Sequence, residues 1–336
     1  MKTWGSRLLY ILVIGVILWL TPSPEAANAA YLENISQEIT QPDGTILNCY
    51  ASGDEFFNYL HDSEGNIIIQ DPISGYWVYA SNTDGEPVPS SIVAGSNPPE
   101  SAVTIKDISA YASGQRQRAA DQQDSHRALT QNGANSNSYP TSGTINNIVV
   151  LIRFQGEDEF VSEDLANTYE EMFNAQNPKA SLKSYFKEAS YNQLTINSTF
   201  YPHLENKLVS YQDFQTRGYY QPYNEGANSI GYTGDGDGPD AMGREAELLR
   251  NVVNAVRNQV PLGTNLDNNN DGRVDNICFI ISGSAGGWND LLWPHRSVLG
   301  GVFINNKEVE NYNFQLASNT GVGVLSHEMF HSLGAP

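Results

Sequence analysis

The chain has 336 residues, 40% of them hydrophobic and 10% aromatic, which is enough apolar material for one to three packed domains. Its 38 acidic residues against 18 Lys and Arg give a formal net charge of −20, which disfavours binding to nucleic acid and is compatible with cation binding. Only two cysteines, Cys49 and Cys278, are present, so the protein is not a scaffold built from disulfides.

The first thirty residues have the pattern of a secretory signal peptide. Lys2 and Arg7 give a positive start, thirteen apolar residues run from Leu8 to Leu20, and Ala27-Asn28-Ala29 is a small-residue cleavage site. A membrane anchor is the alternative, but the apolar run is short for a span of about twenty residues. We therefore expect residues 1–30 to be removed and the mature protein to be secreted, without stable membrane insertion.

Residues 31–114 predict a small β-rich module. Turn signals such as Pro42-Asp43-Gly44 and Glu64-Gly65-Asn66 separate short β-prone runs, including Ile67 to Ile69 and Tyr76 to Tyr79.

One segment of this module, Glu55 to His61, is predicted to form a short helix instead. Its spacing would turn Phe56, Phe57 and Leu60 inward. His61 is predicted to be a capping or surface group rather than a metal ligand.

Residues 115–143 predict an exposed linker. Gln, Asn, Ser and Gly dominate this segment, and no periodic apolar face can be drawn through it. Such a segment invites proteolysis, and Arg116, Arg118 and Arg127 are candidate cleavage points.

Residues 144–336 alternate between strand and helix patterns, which predicts an α/β (α+β) fold. Ile148 to Phe154 is continuously apolar and is predicted to be a central strand, and Leu194 to Phe200 a second strand. Residues 163–175 and 181–189 are predicted to be helical. The apolar side of the latter helix would comprise Leu182, Tyr185, Phe186 and Ala189.

A longer helix over 241–259 is predicted to back the sheet. It is followed by an acidic loop and by a strand from Ile277 to Ser282. The apolar stripe of the helix comprises Leu248, Leu249, Val252, Val253 and Val256.

The acidic loop has oxygen-bearing side chains at alternate positions and a glycine that permits a sharp turn, which is the pattern of a Ca²⁺ site. It differs from an EF-hand, because Cys278 stands where the bidentate glutamate should be and a strand follows. An Asn/Asp-rich turn without a metal is the alternative. The candidate ligands are Asp267, Asn269, Asp271, the Arg273 carbonyl and Asp275.

The last sixteen residues contain the pattern His-Glu-x-x-His. On a helix, His327 and His331 leave the same face and can hold one Zn²⁺, with Glu328 beside them to accept a proton from a metal-activated water. Gly334 and Pro336 are predicted to end the helix. Two ordinary helix histidines with a chance glutamate are the alternative reading.

The run HEMFHSLGAP resembles the active-site helix of the M6 family of metallopeptidases, the immune inhibitor A type, which is similar to the metzincins. The runs GDEFFNYLHD, GYWVYA and SYFKEASYNQLTI and the acidic loop are similar to blocks of the same family. The resemblance implies a metzincin-like zinc peptidase domain with a twisted mixed sheet, a backing helix and an active-site helix, preceded by a pro-region. It also implies a third zinc ligand beyond Pro336, so the 336-residue chain alone is expected to be inactive.

The sequence therefore predicts a secreted precursor of a zinc-dependent endopeptidase that acts on proteins or peptides and also binds Ca²⁺. Cys49, in the expected pro-region, could coordinate the zinc as a thiolate and so keep the precursor latent, pair with Cys278, or be a buried free thiol. One alternative function is a Ca²⁺-stabilised extracellular binding or adhesion module with a vestigial zinc helix. Another is a zinc hydrolase that acts on non-peptide amides or esters.

Overall fold

The structure is a computed structural model that describes residues 32–54, 57–71, 74–117, 140–234, 239–283, 294–318 and 320–334. The predicted signal peptide and most of the predicted linker, including Arg118 and Arg127, lie outside these residues. Within the described ranges, no helix is long and apolar enough to cross a membrane.

The N-terminal part is a six-stranded antiparallel sheet whose strands are ordered as they occur in the chain. One face of the sheet is covered by helix α1, residues 109–117. The strands are β1 (Leu32–Thr40), β2 (Ile46–Gly53), β3 (Asn58–His61), β4 (Ile67–Gln70), β5 (Trp77–Thr83) and β6 (Glu86–Val93). The prediction of a β-rich module is confirmed.

The helix predicted over Glu55 to His61 is wrong where the structure describes it. Residues 58–61 form β3, which pairs with both β2 and β4. The backbone N–H of Phe57 donates to the Asp54 carboxylate and forms the turn that leads into the strand. Pairing on both sides satisfies the backbone of this aromatic-rich run better than an isolated helical turn would.

His61 is also not a surface group, because it is only 6% exposed. Its Nε2 lies 2.8 Å from Ser52 Oγ and its Nδ1 lies 2.8 Å from the backbone oxygen of Asp62. The capping role belongs to Asp62, whose carboxylate accepts hydrogen bonds from the N–H groups of Glu64 and Asn66.

The beginning of the predicted linker is structured. Residues 115–117 belong to α1. Arg116 Nε donates to Asp54 Oδ2 at 2.8 Å, and its guanidinium lies over the ring of Phe57. This arginine therefore holds α1 on the sheet, unlike the exposed cleavage point that the sequence predicts.

The C-terminal part is built on a second six-stranded sheet. Its strands are β7 (Gly143–Arg153), β8 (Leu194–Tyr201), β11 (Tyr211–Gln212), β12 (Ile277–Ile281), β13 (His295–Val298) and β16 (Asn311–Leu316). Two small hairpins accompany it, formed by β9 (His203–Leu204) with β10 (Lys207–Leu208) and β14 (Phe303–Ile304) with β15 (Lys307–Glu308).

The second sheet is mixed. Strands β8 and β11 lie along one edge of β7, and β12 and β16 follow on the other side, all in parallel. Strand β13 is antiparallel to β16 and forms the far edge. The predicted strands at Ile148 to Phe154, Leu194 to Phe200 and Ile277 to Ser282 are confirmed, and β7 begins five residues earlier than predicted.

The described residues of this part form four α-helices: α2 (Glu163–Asn174), α3 (Leu182–Ala189), α4 (Pro239–Val256) and α5 (Val322–Ser332). Short 3₁₀ helices cover Arg217–Tyr220 and Arg257–Gln259. The five apolar residues predicted for the stripe of α4 are all fully buried, and they pack on one face of the sheet. Helices α2, α3 and α5 cover the opposite face.

The predicted apolar side of α3 is only half right. Leu182 and Phe186 are buried, whereas Ala189 is exposed and Tyr185 is 43% exposed. Ser184 takes the inward position because it forms a capping box with the residue before the helix. The fold as a whole has mixed α and β structure, and the predicted α/β (α+β) class is confirmed at that level.

Candidate metal centre

Helix α5 connects to the end of β16 and carries the predicted zinc-binding residues. It begins after Gly321 and packs against β16, β13 and α3. Leu325 and Met329 are buried against the sheet. At its end, Gly334 adopts a φ of 95°, the left-handed conformation that glycine accepts most easily, so the predicted end of the helix is confirmed.

The two histidines converge on one point. His327 Nε2 and His331 Nε2 are 3.0 Å apart, and the two rings are nearly perpendicular, with an interplanar angle of 84°. Both histidines are half-buried. This convergence follows from the four-residue spacing on a regular helix.

The separation of the two nitrogens fits a zinc ion. Nitrogen ligands at about 2.0–2.1 Å from a tetrahedral zinc lie roughly 3.3 Å from each other. The observed 3.0 Å needs only a small adjustment of the rings. Within the described residues, no group of three His, Cys, Asp or Glu side chains is placed to hold a metal ion.

Glu328 lies beside the pair but points into the protein. It is 2% exposed, and its negative charge acts on the Cys278 thiol of β12. Burial and this neighbouring carboxylate raise the pKa of Cys278 well above its usual value. The thiol is therefore held in its neutral form under the helix.

One strand of the sheet surface under α5, β16, carries buried polar side chains, which the sequence analysis missed. Asn313 and Gln315 of β16 are 2% and 0% exposed. The neighbouring Tyr312, Phe314 and Leu316 belong to the core on the other face. The signal was available, because the alternation Asn-Tyr-Asn-Phe-Gln-Leu is a strand pattern with amides on one face and apolar side chains on the other.

His295 does not approach the histidine pair. It lies on β13 opposite Phe314, and its ring stacks on that residue on the face covered by α4. Its Nε2 is 3.1 Å from Glu245 Oε1, and the same oxygen accepts a hydrogen bond from the Tyr312 hydroxyl. This residue therefore belongs to a polar group within the α4 side of the core.

The acidic loop folds around its first carboxylate. Asp267 is 2% exposed and accepts hydrogen bonds from the backbone N–H groups of Asp271 and Gly272. Gly272 has a φ of 90°, so the predicted sharp turn is present. Lys307 Nζ, from the β14–β15 hairpin, donates to Asp267 Oδ2 at 2.6 Å.

The remaining candidate calcium ligands are also tied into the loop. Asn269 Nδ2 donates to Asp271 at 3.1 Å, and Asp271 accepts from the N–H of Arg273. Asp275 accepts from the N–H of Asn268 at 2.9 Å. The Arg273 side chain turns away to an ion pair with Glu310.

The loop concentrates negative charge. Burial raises the pKa of Asp275 to about 7, and the nearby Asp267 and Asp271 carboxylates push it in the same direction. In Asp267, hydrogen bonds and the Lys307 ammonium outweigh the effect of burial, so its pKa is lowered. Mutual repulsion of this kind suits a cation, although Lys307 already neutralises part of the charge.

Both cysteines are free and buried, so the predicted alternative of a Cys49–Cys278 disulfide is wrong. Cys49 belongs to the core that is continuous with the α4 side of the second sheet, whereas Cys278 faces α5. Burial raises the pKa of Cys49 to about 12. The arrangement also contradicts Cys49 as a zinc thiolate ligand, because its thiol is enclosed in a different core from the histidine pair.

No protein-family model matches this chain, and a search of curated proteins found no match either. The resemblance to the M6 family therefore stays a prediction from the sequence motifs.

Proposed function

We propose that the chain is part of a secreted zinc-dependent endopeptidase precursor with a metzincin-like catalytic domain. The observation that carries the proposal is the 3.0 Å approach of His327 Nε2 and His331 Nε2 on one face of α5. Two imidazole nitrogens at about this distance would supply two of the ligands of a zinc ion.

In this proposal, His327 and His331 bind the zinc through Nε2. Bound zinc would supply a Lewis acid that activates a water and polarises the substrate carbonyl. Glu328 accepts the proton of the attacking water and transfers it to the leaving amine. Glu328 follows His327 in the helix and is only 2% exposed, so its side chain must turn outward to reach the attacking water.

The surrounding fold supports the same reading. The sheet is mixed, α4 backs one face, and α5 lies on the other, next to the antiparallel edge strand β13. The resemblance to the M6 family implies three of these features, namely the mixed sheet, the backing helix and the helix that carries the two histidines. A protein or peptide is the proposed substrate.

The acidic loop is proposed to bind a structural Ca²⁺ through Asp267, Asn269, Asp271, the Arg273 carbonyl and Asp275. Its support is the gathering of three carboxylates whose charges act on one another. The loop precedes β12, so an ion there would stabilise the start of a central strand.

The test of the proposal is the substitution Glu328→Gln in the natural translation product that contains this chain. We expect the variant to retain zinc, because both imidazoles remain, and to lose casein cleavage by at least about a hundredfold, because no base is left. Zinc content and cleavage are measured on the same preparation. Glu188→Gln is a matched control, since Glu188 is an exposed glutamate on α3.

Cleavage by Glu328→Gln at the wild-type rate would contradict the role of Glu328. Absence of zinc from the wild-type protein, together with Ca²⁺ binding, would favour the calcium-stabilised binding module instead. Cleavage of small amides or esters but not of casein would favour a non-peptide zinc hydrolase.

A further inference from the structure

The buried amides under α5 have unusual hydrogen bonding. Asn313 and Gln315 are almost completely enclosed, yet three of their side-chain atoms have no hydrogen-bond partner in the described structure. These atoms are Asn313 Oδ1, Gln315 Oε1 and Gln315 Nε2. Buried polar side-chain atoms usually have a partner, which is either protein or ordered water.

The position of the two amides follows from the strand register. Asn313 pairs with Cys278, and Gln315 pairs with Ile280, both on β12. Cys278 and Ile280 belong to the core that includes Leu325 and Met329 of α5, so this face of β16 lies beneath the helix.

The base of the proposed active site is close to the same row. The charge of Glu328 acts on Cys278, which is the neighbour of Asn313 across the β12–β16 pair. The amide row therefore lies between the central strands and the part of α5 that carries Glu328.

The opposite face of the same strand provides a comparison. There the buried polar groups satisfy one another, since Glu245 accepts from the Tyr312 hydroxyl and lies within hydrogen-bond distance of His295. These three side chains on the α4 side are thus matched by one another. The amides on the α5 side need a partner that both donates and accepts and that is small enough to be enclosed.

We propose that Asn313 and Gln315 form a buried water-binding site that links β16 to the active-site helix. Water is the ligand class that fits, because it can donate to the two amide oxygens and accept from Gln315 Nε2. The site goes beyond the proposed zinc function and does not depend on it. Its role is to hold the helix at a fixed height above the sheet.

The test is a double-mutant cycle on the natural translation product that contains this chain, with Gln315→Met and Asn313→Leu as nearly volume-conserving changes. If the amides bind water, each single variant breaks a satisfied network and should lower Tm by about 2 °C. The decrease in Tm of the double variant should be smaller than the sum of the two single decreases, because the first change already removes the shared water. Ile145→Val is the control for lost packing on the same face of the sheet, and its effect should add to that of either variant because β12 separates its strand from β16.

A dry site would change Tm in the opposite direction. If the amides are dry, replacing an unsatisfied buried polar group by an apolar one should raise Tm, and the two changes should add. A high-resolution crystal structure of the wild-type protein is a second test, and it does not depend on whether the variants fold. Density for water bonded to Gln315 supports the proposal, and a dry, fully packed interface overturns it. Neither measurement involves zinc or activity, so a failure of the proposed function would leave this result unaffected.

Discussion

The two candidate metal regions of this protein are built in different ways. The histidine pair lies on a regular helix, where two ring nitrogens already approach to 3.0 Å. The acidic loop has the right side chains at the right spacing, yet its first carboxylate is occupied by two backbone N–H groups and by Lys307. Spacing on a helix thus fixes where ligands meet, whereas spacing in a loop does not.

The physical reason is the stiffness of the backbone. Residues four apart on a helix are held on one face by the hydrogen bonds of the helix itself. Carboxylates and amides in a loop can instead accept hydrogen bonds from their own backbone, as Asp267 and Asp271 do here. Binding of Ca²⁺ must compete with these local hydrogen bonds, whereas zinc binding must replace a single contact between the two ring nitrogens and widen it from 3.0 Å to roughly 3.3 Å.

The largest expected effect is on zinc binding by the helix. Replacing His331 with Ala removes one of the two convergent nitrogens, so zinc affinity should fall by at least about a hundredfold. Competition with a chromophoric chelator measures the change. His203→Ala is the matched control, because His203 is exposed and lies far along the chain on β9. Equal losses in the two variants would show that the pair on α5 is not the zinc site.

A smaller effect is expected in the acidic loop. Lys307→Met removes the ammonium that lies 2.6 Å from Asp267 Oδ2, so the loop should gain Ca²⁺ affinity by about tenfold. Isothermal titration calorimetry of the wild type and the variant measures this. Lys179→Met is a suitable control, because its ion pair with Glu171 is on the exposed surface. No Ca²⁺ binding by either protein would remove the loop from the list of metal sites.

The smallest effect on metal binding should come from Cys49. Because burial raises its pKa to about 12, few thiolates exist at pH 8, and iodoacetamide should react at least about a hundredfold more slowly than with an exposed cysteine. The rate should rise with pH as the thiolate fraction grows. Cys49→Ser should leave zinc affinity and latency unchanged. If the Cys49→Ser precursor lost its latency, the Cys49 thiol would have to be a zinc ligand after all.

The strands and helices with strong periodicity could be predicted from the sequence. Helices α4 and α5 each carry an apolar stripe whose central residues are buried, and the run in β7 is continuous because both faces of that strand are covered. The helix prediction failed at Asn58–His61 because this strand depends on pairing with β2 and β4, which no local pattern reveals. Pairing between strands overrode the local helical spacing.

In the candidate site, too, local features could be predicted from the sequence and long-range contacts could not. The convergence of the two histidines is a local property of α5 and could be predicted. The position of Lys307 against Asp267 could not, because the two residues are forty apart in the chain and meet only through the β14–β15 hairpin. The amides of β16 show an intermediate case, since their alternation is visible in the sequence but the helix above them is not.

The most direct test of the central claim is X-ray absorption at the zinc edge, on the natural translation product that contains this chain. Zinc bound through His327 and His331 should show imidazole nitrogens at about 2.0–2.1 Å, and the imidazole signal should weaken in His331→Ala. A zinc-free protein, or a spectrum dominated by sulfur at about 2.3 Å, would contradict the proposal.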